Sequence, residues 1–219
     1  MCGRFTLTVS DIAALARAWG AEVDEALRAA WRPRFNVAPG DLVPLLRAEA
    51  SGRRRVVGAT FGLPSRGGGL HVNARSETAA RTSAFRDALA RGRAAVPADG
   101  FFEWEGPAGD RRPSWLHRAD GAPLLLAAVA AAGPGGAPAF AILTEEAVDP
   151  VRRLHDRMPV ILPAALVDRW LAEGPPPPLP PAEPGLLAAR PVSQRVNSAR
   201  NDDASCLEPP EPPEQGRLF

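Results

Sequence analysis

Four residues of this chain carry side chains suited to covalent or proton-transfer chemistry: Cys2, Asn73, Glu103 and His155. Cys2 follows Met1 directly, and a small second residue permits removal of an initiator methionine. The new N-terminus would hold an α-amine and a thiol on adjacent carbons. With reference pKa values of about 7.7–8.0 and about 8.5, on the order of a tenth of that amine is neutral near pH 7. Such a 1,2-aminothiol captures an aldehyde as an imine, which the thiol closes to a five-membered thiazolidine. Neither an internal cysteine nor a lysine can make that ring. Asn73 lies in Val72-Asn73-Ala74-Arg75-Ser76-Glu77-Thr78 and is one of four asparagines, which fits either a structural turn or a positioning amide. Glu103 sits in Phe101-Phe102-Glu103-Trp104, where desolvation would raise its pKa into the range of general acid–base work. An edge-strand carboxylate facing water is the plainer alternative. His155, in Leu154-His155-Asp156-Arg157-Met158-Pro159, is flanked by charge and expected near the surface. Its unperturbed pKa of about 6.5 suits a proton donor, and a solvated histidine is the alternative.

These residues need a frame. Apolar patterning predicts strands over 42–47 and 53–60 around Ser51-Gly52, then over 94–97, 101–104, 114–118, 124–130, 139–144 and 160–162. Asp99-Gly100 is a hairpin signal. Helices are predicted over 10–19 with Ser10 as N-cap, over 22–30, and over 163–173 with Pro163 at its start. A longer one is predicted over 76–90, with Ala80, Ala84, Phe85, Ala88 and Leu89 on one face and Ser76 as its cap. An extended stretch just before it would point Asn73 and Arg75 the same way. Many short strands with Gly/Pro turns and few helices indicate an α+β fold on a β-rich core. Residues 174–181 read as a stiff polyproline segment rather than a packed element, and 190–201 as a return to the fold.

Composition excludes several chemistries. The chain has 219 residues and 26 basic side chains, all of them arginine, with no lysine and no tyrosine. A lysine Schiff base, a pyridoxal-phosphate lysine and a Walker-A lysine are therefore ruled out, and the only amine is the N-terminus. The two cysteines, Cys2 and Cys206, form no disulfide framework and no metal-ligand pair, so a reduced cytoplasmic setting without structural zinc is expected. The longest apolar run, 123–136, is too short to cross a bilayer, and no signal peptide is visible. Residues 1–120 carry 18 Arg against 13 acids, and residues 121–219 carry 8 against 12. The densest basic stretch holds Arg28, Arg32, Arg34, Arg47, Arg53, Arg54 and Arg55, which reads as a solvated face or as a phosphate-binding groove.

Five segments in order resemble one family: Met1-Cys2-Gly3-Arg4-Phe5, Arg34-Phe35-Asn36-Val37-Ala38-Pro39-Gly40, Asn73-Ala74-Arg75-Ser76-Glu77-Thr78, Ala98-Asp99-Gly100-Phe101-Phe102-Glu103-Trp104 and His155-Asp156-Arg157-Met158-Pro159. They resemble the SOS response-associated peptidase (SRAP) domain proteins, which shield abasic sites in single-stranded DNA. Pro191-Val192-Ser193, Val196-Asn197 and Asn201-Asp202 look like the family's C-terminal signature. The resemblance implies a single SRAP-like domain over 2–208, with a barrel-like β-rich core, flanking helices, a Pro-rich insert at 174–184 and a disordered acidic tail at 209–219. It implies a thiazolidine crosslink from mature Cys2 to a ring-opened abasic site, autocatalytic loss of Met1 and lyase-type chemistry. Asn73 would position the amine, Glu103 would act as acid and base, and His155 would donate a proton during sugar opening. Arg4 and Arg75 would hold phosphates, Thr144 would line the site, and Asn36 and Pro39 would belong to the DNA-binding surface. No cofactor or metal is implied. The expected partner is single-stranded DNA containing abasic sites, met by a monomer in the cytoplasm that associates with the nucleoid during DNA damage, with no membrane role.

The chain departs from the family at Phe61-Gly62-Leu63-Pro64-Ser65-Arg66-Gly67-Gly68-Gly69, where relatives often carry tryptophans. That puts a base-stacking role for this loop in doubt, since stacking is worth about 1–3 kcal/mol per base. Residues 91–95 also lack a cysteine that many relatives have. Two other readings remain: a thiol peptidase using Cys2, His155 and Glu103 on other proteins, and a plain, non-covalent single-stranded DNA binder.

Overall fold

Strands with apolar residues on both faces build the centre of the molecule. A computed structural model describes residues 2–107 and 109–211. Its strands are β1 (Phe5–Leu7), β2 (Ala21–Val23), β3 (Arg34–Val37), β4 (Leu42–Ala48), β5 (Arg54–Phe61), β6 (Leu63–Pro64), β7 (Leu70–His71), β8 (Asn73–Arg75), β9 (Arg93–Ala98), β10 (Gly100–Glu105), β11 (Arg112–Arg118), β12 (Leu124–Ala132), β13 (Pro138–Glu146), β14 (Arg157–Pro159) and β15 (Leu187–Pro191). Among the described residues the α-helices are α1 (Ile12–Ala18), α2 (Glu25–Ala30), α3 (Ser76–Ala79), α4 (Arg86–Arg91) and α5 (Val167–Leu171). The fold is a single α+β domain with a sheet-rich core.

Strands β4, β5, β9, β12 and β13 close into a ring, because β13 pairs with β12 on one side and in parallel with the end of β5 on the other. The two-residue side-chain period explains why this ring separates two cores. Leu124, Leu126 and Ala128 of β12 join Phe140 and Ile142 of β13 in one core, and Leu125, Ala127 and Val129 join Ala139, Ala141 and Leu143 in the other. The second core is covered by Phe85, Ala88 and Leu89 near α4 and by Val167, Trp170 and Leu171 of α5. Arg93, buried beneath them, donates to the carbonyls of Leu89, Trp170, Ala172 and Gly174, satisfying the C-terminal ends of both helices. A second, antiparallel sheet in the order β15-β11-β10-β1-β3 contributes Phe5, Phe101, Leu116 and Leu187 to the first core.

Several local expectations change. Asp99-Gly100 is no hairpin: β9 belongs to the ring and β10 to the second sheet, so the chain switches sheets there. Glycine is needed at 100 because a Cβ would come within 2.5 Å of the Leu116 carbonyl and the Trp115 indole. The helix expected over 76–90 is two short ones separated at Thr82, whose hydroxyl donates to the Thr78 carbonyl at 2.9 Å. Ala80 and Ala84 are exposed as a result, while Phe85, Ala88 and Leu89 are buried. No side-chain cap is made at the start of α3. Asp11, not Ser10, caps α1, and residues 22–30 divide into the end of β2 and α2, capped by Asp24. Residues 160–162 make only an isolated bridge, from Ile161 to Leu126, and 163–173 begins as a 3-10 turn before α5. The polyproline segment packs after all: Pro177 and Ala182 are buried and Leu179 lies against the second core. Residues 190–201 do rejoin the fold, through β15 and a 3-10 turn at Gln194–Asn197. Most of the expected acidic tail, 212–219, lies outside the described residues.

Candidate active site

The start of β1 and the middle of β10 bring two reactive groups together. Phe5 pairs with Phe101, and the Phe102 N–H donates to the Arg4 carbonyl at 3.0 Å, so one step further along Gly3 comes opposite Glu103, close enough for the Glu103 charge to act on the Cys2 thiol. Both are buried, Cys2 completely and Glu103 to 2% exposure. Burial pushes the Glu103 pKa from 4.5 to about 7; the charge of the chain's N-terminus opposes the rise and that of Asp156 adds to it. Burial, and then the Glu103 charge, push the Cys2 thiol well above its ordinary value. At neutral pH the thiol therefore keeps its proton, while the carboxyl is divided between its two forms.

A second group of residues is aligned by β13. Strand β8 runs parallel to it, with Asn73 opposite Ile142 and Arg75 opposite Thr144. The Asn73 amide is buried, and neither Nδ2 nor Oδ1 meets a hydrogen-bond partner among the described residues. Leaving such a group unpaired costs about 1–3 kcal/mol, so its presence asks for a ligand or a function. Arg75 is exposed at the rim. Thr144 is fully buried and its hydroxyl donates to the Ala74 carbonyl at 3.5 Å, which buttresses β8 from within rather than opening onto solvent. His155 precedes β14 and is partly exposed; its Nδ1 accepts the Arg157 N–H at 2.9 Å and lies 2.8 Å from Asp156 Oδ1. Burial first, and the N-terminal charge next, lower its pKa, so the neutral ring predominates at neutral pH. With Nδ1 engaged by the Arg157 N–H and the Asp156 carboxylate, Nε2 is the ring atom left for a substrate.

A family model described as SOS response associated peptidase (SRAP) matches residues 1–199. The chain belongs to the SRAP family. It is 31% identical to the abasic site processing protein YedK of Escherichia coli over 80% of this chain and 84% of that one. It is 30% identical to the abasic site processing protein HMCES of Gallus gallus, over 82% of this chain and 67% of the relative. Among solved structures, a Bordetella bronchiseptica protein superposes with a TM-score of 0.70 at 26% identity, covering 88% of this chain and 100% of that one. A Bacteroides thetaiotaomicron protein shares the fold with a TM-score of 0.78 at 18% identity, covering 95% and 99%.

In this SRAP domain the remaining expected residues fall into a C-terminal clasp. Asn36 is fully buried: its Nδ2 donates to the carbonyls of Val196, Ser198 and Asn201 at 3.2, 3.0 and 2.7 Å, and its Oδ1 accepts from Arg4 at 2.6 Å. Arg4 also donates to the Val196 carbonyl at 3.2 Å. Asp202 accepts the N–H groups of Phe35 and Asn36 at 2.6 and 2.9 Å and pairs with Arg34. Asn36 thus presents no free polar atom to a ligand, whereas Pro39 is exposed in the turn that Gly40 closes at φ +95°. In the basic stretch on either side of this turn, Arg28, Arg34, Arg53, Arg54 and Arg55 each meet a carboxylate. Sequence reasoning placed Asp202, Asp156, Glu77 and Arg157 within its motifs but gave none of them a role. The available signal was an opposite charge beside each motif residue, four positions after Asn73 and two after His155.

Proposed function

We propose that this chain processes abasic sites in single-stranded DNA by forming a covalent crosslink through Cys2. The observation that carries this reading is a buried thiol beside a buried carboxyl whose pKa is about 7, at the start of the chain. Loss of Met1, which lies outside the described residues, would add the α-amine to that pair. The names of the relatives, abasic site processing proteins, support the substrate class.

The ring-opened sugar of an abasic site offers an aldehyde. His155, in its imidazolium form, hands the Nε2 proton to the ring oxygen as that C–O bond breaks, and takes back the proton that the anomeric hydroxyl releases as it becomes the aldehyde. The Cys2 amine adds to the aldehyde carbon, and the resulting hemiaminal loses water to give an imine. The thiol then adds across the C=N bond, its sulfur to carbon and its proton to nitrogen, and closes the thiazolidine. The net change is one water released, with no oxidant or reductant. Glu103 takes the amine proton and returns one to the leaving hydroxyl, a two-way role that suits a carboxyl titrating near neutrality. The unpaired Asn73 amide orients the amine. The lyase-type outcome starts from the same imine: a base takes a C2′ proton, the C2′=C3′ double bond forms and the 3′ phosphate leaves. Arg75 and the turn at Pro39 face the flanking DNA, and Arg4, anchored in the clasp, adds positive charge. The DNA-binding role of Asn36 is then indirect, through Arg4.

The peptidase reading meets a specific obstacle. A thiol peptidase works as a thiolate, which needs a lowered pKa, and the Cys2 thiol is raised. Self-processing at Met1 is the one peptide cleavage we include. The test is incubation with single-stranded DNA bearing one abasic site, followed by a denaturing gel. A shifted band that Cys2→Ala abolishes, and that a blocked N-terminus abolishes, is the expected result. Equal crosslinking by Cys2→Ala overturns the proposal. Salt-sensitive binding with no shifted band favours the plain binder, and cleavage of unrelated peptides revives the peptidase.

A further inference from the structure

We propose that the Glu77–Arg157 ion pair is a strut that fixes the separation of Asn73 and His155, which makes Glu77 a positioning residue. The inference rests on the crosslinking function proposed above and assigns a role that function leaves open.

The two residues at issue arrive on different elements. Asn73 is on β8 and His155 leads into β14, and these strands flank β13 on opposite sides at one place: Thr144 pairs with Arg75 on one side and with Pro159 on the other. Three-residue strands at a sheet margin are held by few ladder bonds, so their separation would drift without a further tie. Arg157 supplies it. Its two terminal nitrogens meet the two Glu77 oxygens at 2.6 and 2.8 Å, a bidentate fork, and Nη2 also donates to the Thr144 carbonyl at 2.6 Å. The guanidinium therefore rests on the backbone of the strand that it spans.

Each end of the strut leads directly to a reacting group. Glu77 lies in α3, which continues from β8 four residues after Asn73. The Arg157 N–H donates to His155 Nδ1, a bond that helps fix the ring and leaves Nε2 for the substrate. The Arg157 side chain is 12% exposed, so the pair is shielded from water on that side and stronger than a surface pair. The mutual pairing lowers the Glu77 pKa and raises that of Arg157, as a committed pair requires. The two terminal nitrogens of Arg157 are engaged by Glu77 and the Thr144 carbonyl, while its buried Nε meets no partner among the described residues. A strut between two strands and a phosphate ligand are the two roles the experiment separates.

The experiment compares wild type, Glu77→Ala, Glu77→Asp and Cys2→Ala. Non-covalent affinity is read with single-stranded DNA bearing a reduced abasic analogue that lacks the aldehyde. The single-turnover crosslinking rate is read at saturating DNA with the true abasic site, and melting temperature is read in parallel. Expected for Glu77→Ala is a rate constant lowered by about tenfold with affinity changed less than about threefold. Glu77→Asp, which keeps the carboxylate, is expected to recover part of the rate. A merely structural role would lower the melting temperature and leave the rate constant of the folded protein unchanged; that result overturns the strut. So does a gain in DNA affinity with unchanged rate, which would make Arg157 a phosphate ligand that Glu77 restrains. A crosslink in Cys2→Ala, or none in wild type, overturns the functional reading itself and the strut's role with it. An effect confined to Glu77 variants cannot be mistaken for either.

Discussion

Two buried polar regions of the molecule differ in how their hydrogen-bonding capacity is used. In the clasp, the Asn36 amide makes four bonds and Asp202 receives two backbone N–H groups and an arginine. In the site, the Asn73 amide is equally hidden but has no partner among the described residues, and Glu103 is held in surroundings that raise its pKa. One asparagine is spent on holding the chain together and the other is kept in reserve. Folding alone would select against the second arrangement, because an unpaired buried amide costs about 1–3 kcal/mol. The contrast separates the residues that hold the N-terminal strand from those that act on a ligand.

Variants can break this contrast or sharpen it. The largest effect is expected for Cys2→Ala: crosslinking lost by about a thousandfold or more, with a melting temperature within about 3 °C of wild type because little volume is removed. A denaturing gel and a thermal melt read both quantities. Asn73→Ala comes next. Its crosslinking rate should fall by about a hundredfold, and its stability should hold or rise, since the substitution removes unpaired polar atoms. A clear loss of stability would turn Asn73 into a second clasp residue and erase the contrast. Asn36→Ala should behave in the mirror sense. It strands an Arg4 donor and the carbonyls of Val196, Ser198 and Asn201, so urea unfolding should show a loss of about 2 kcal/mol.

The smallest expected effect is on pH dependence. Burial raises the Glu103 pKa from 4.5 to about 7, so the fold holds that proton more tightly than the unfolded chain does. Its contribution to stability is full below about pH 4.5 and declines as pH rises through 7. Activity runs the other way if the ionised carboxylate accepts the amine proton, rising about tenfold between pH 6 and 8. Glu103→Gln should flatten both trends. Glu145 is also pushed up to about 7 by burial, so the stability trend is best taken as the difference between wild type and that variant.

Much of the frame was legible because central strands announce themselves. The runs that became β4, β5, β9, β12 and β13 are Val, Leu, Ala and Phe bounded by Gly and Pro, and few other structures suit them. The three aromatics around Glu103 offered burial as one of two readings, and the structure takes that one. What the sequence hid was non-local. Nothing near Asp99-Gly100 reveals that its flanking strands enter different sheets, since each chooses its partners from distant residues. Asn36 and Asp202 are 166 residues apart, and only the folded chain makes them partners. The interruption between α3 and α4 falls around Thr82, whose N–H and hydroxyl both bond the Thr78 carbonyl, and apolar periodicity does not register it. Arg157 was passed over beside a histidine that drew attention first.

The central claim is that the bond to DNA forms at the N-terminus of this chain and nowhere else. A peptide map tests it most directly. Wild-type protein crosslinked to abasic single-stranded DNA is digested with nuclease, cleaved after arginine and sequenced by mass spectrometry. The expected product is a Cys2-Gly3-Arg4 peptide without Met1, carrying the sugar remnant less one water. With no lysine in the chain, no other primary amine competes for the aldehyde. An adduct on any other peptide, or Met1 retained on the crosslinked molecules, would contradict the account.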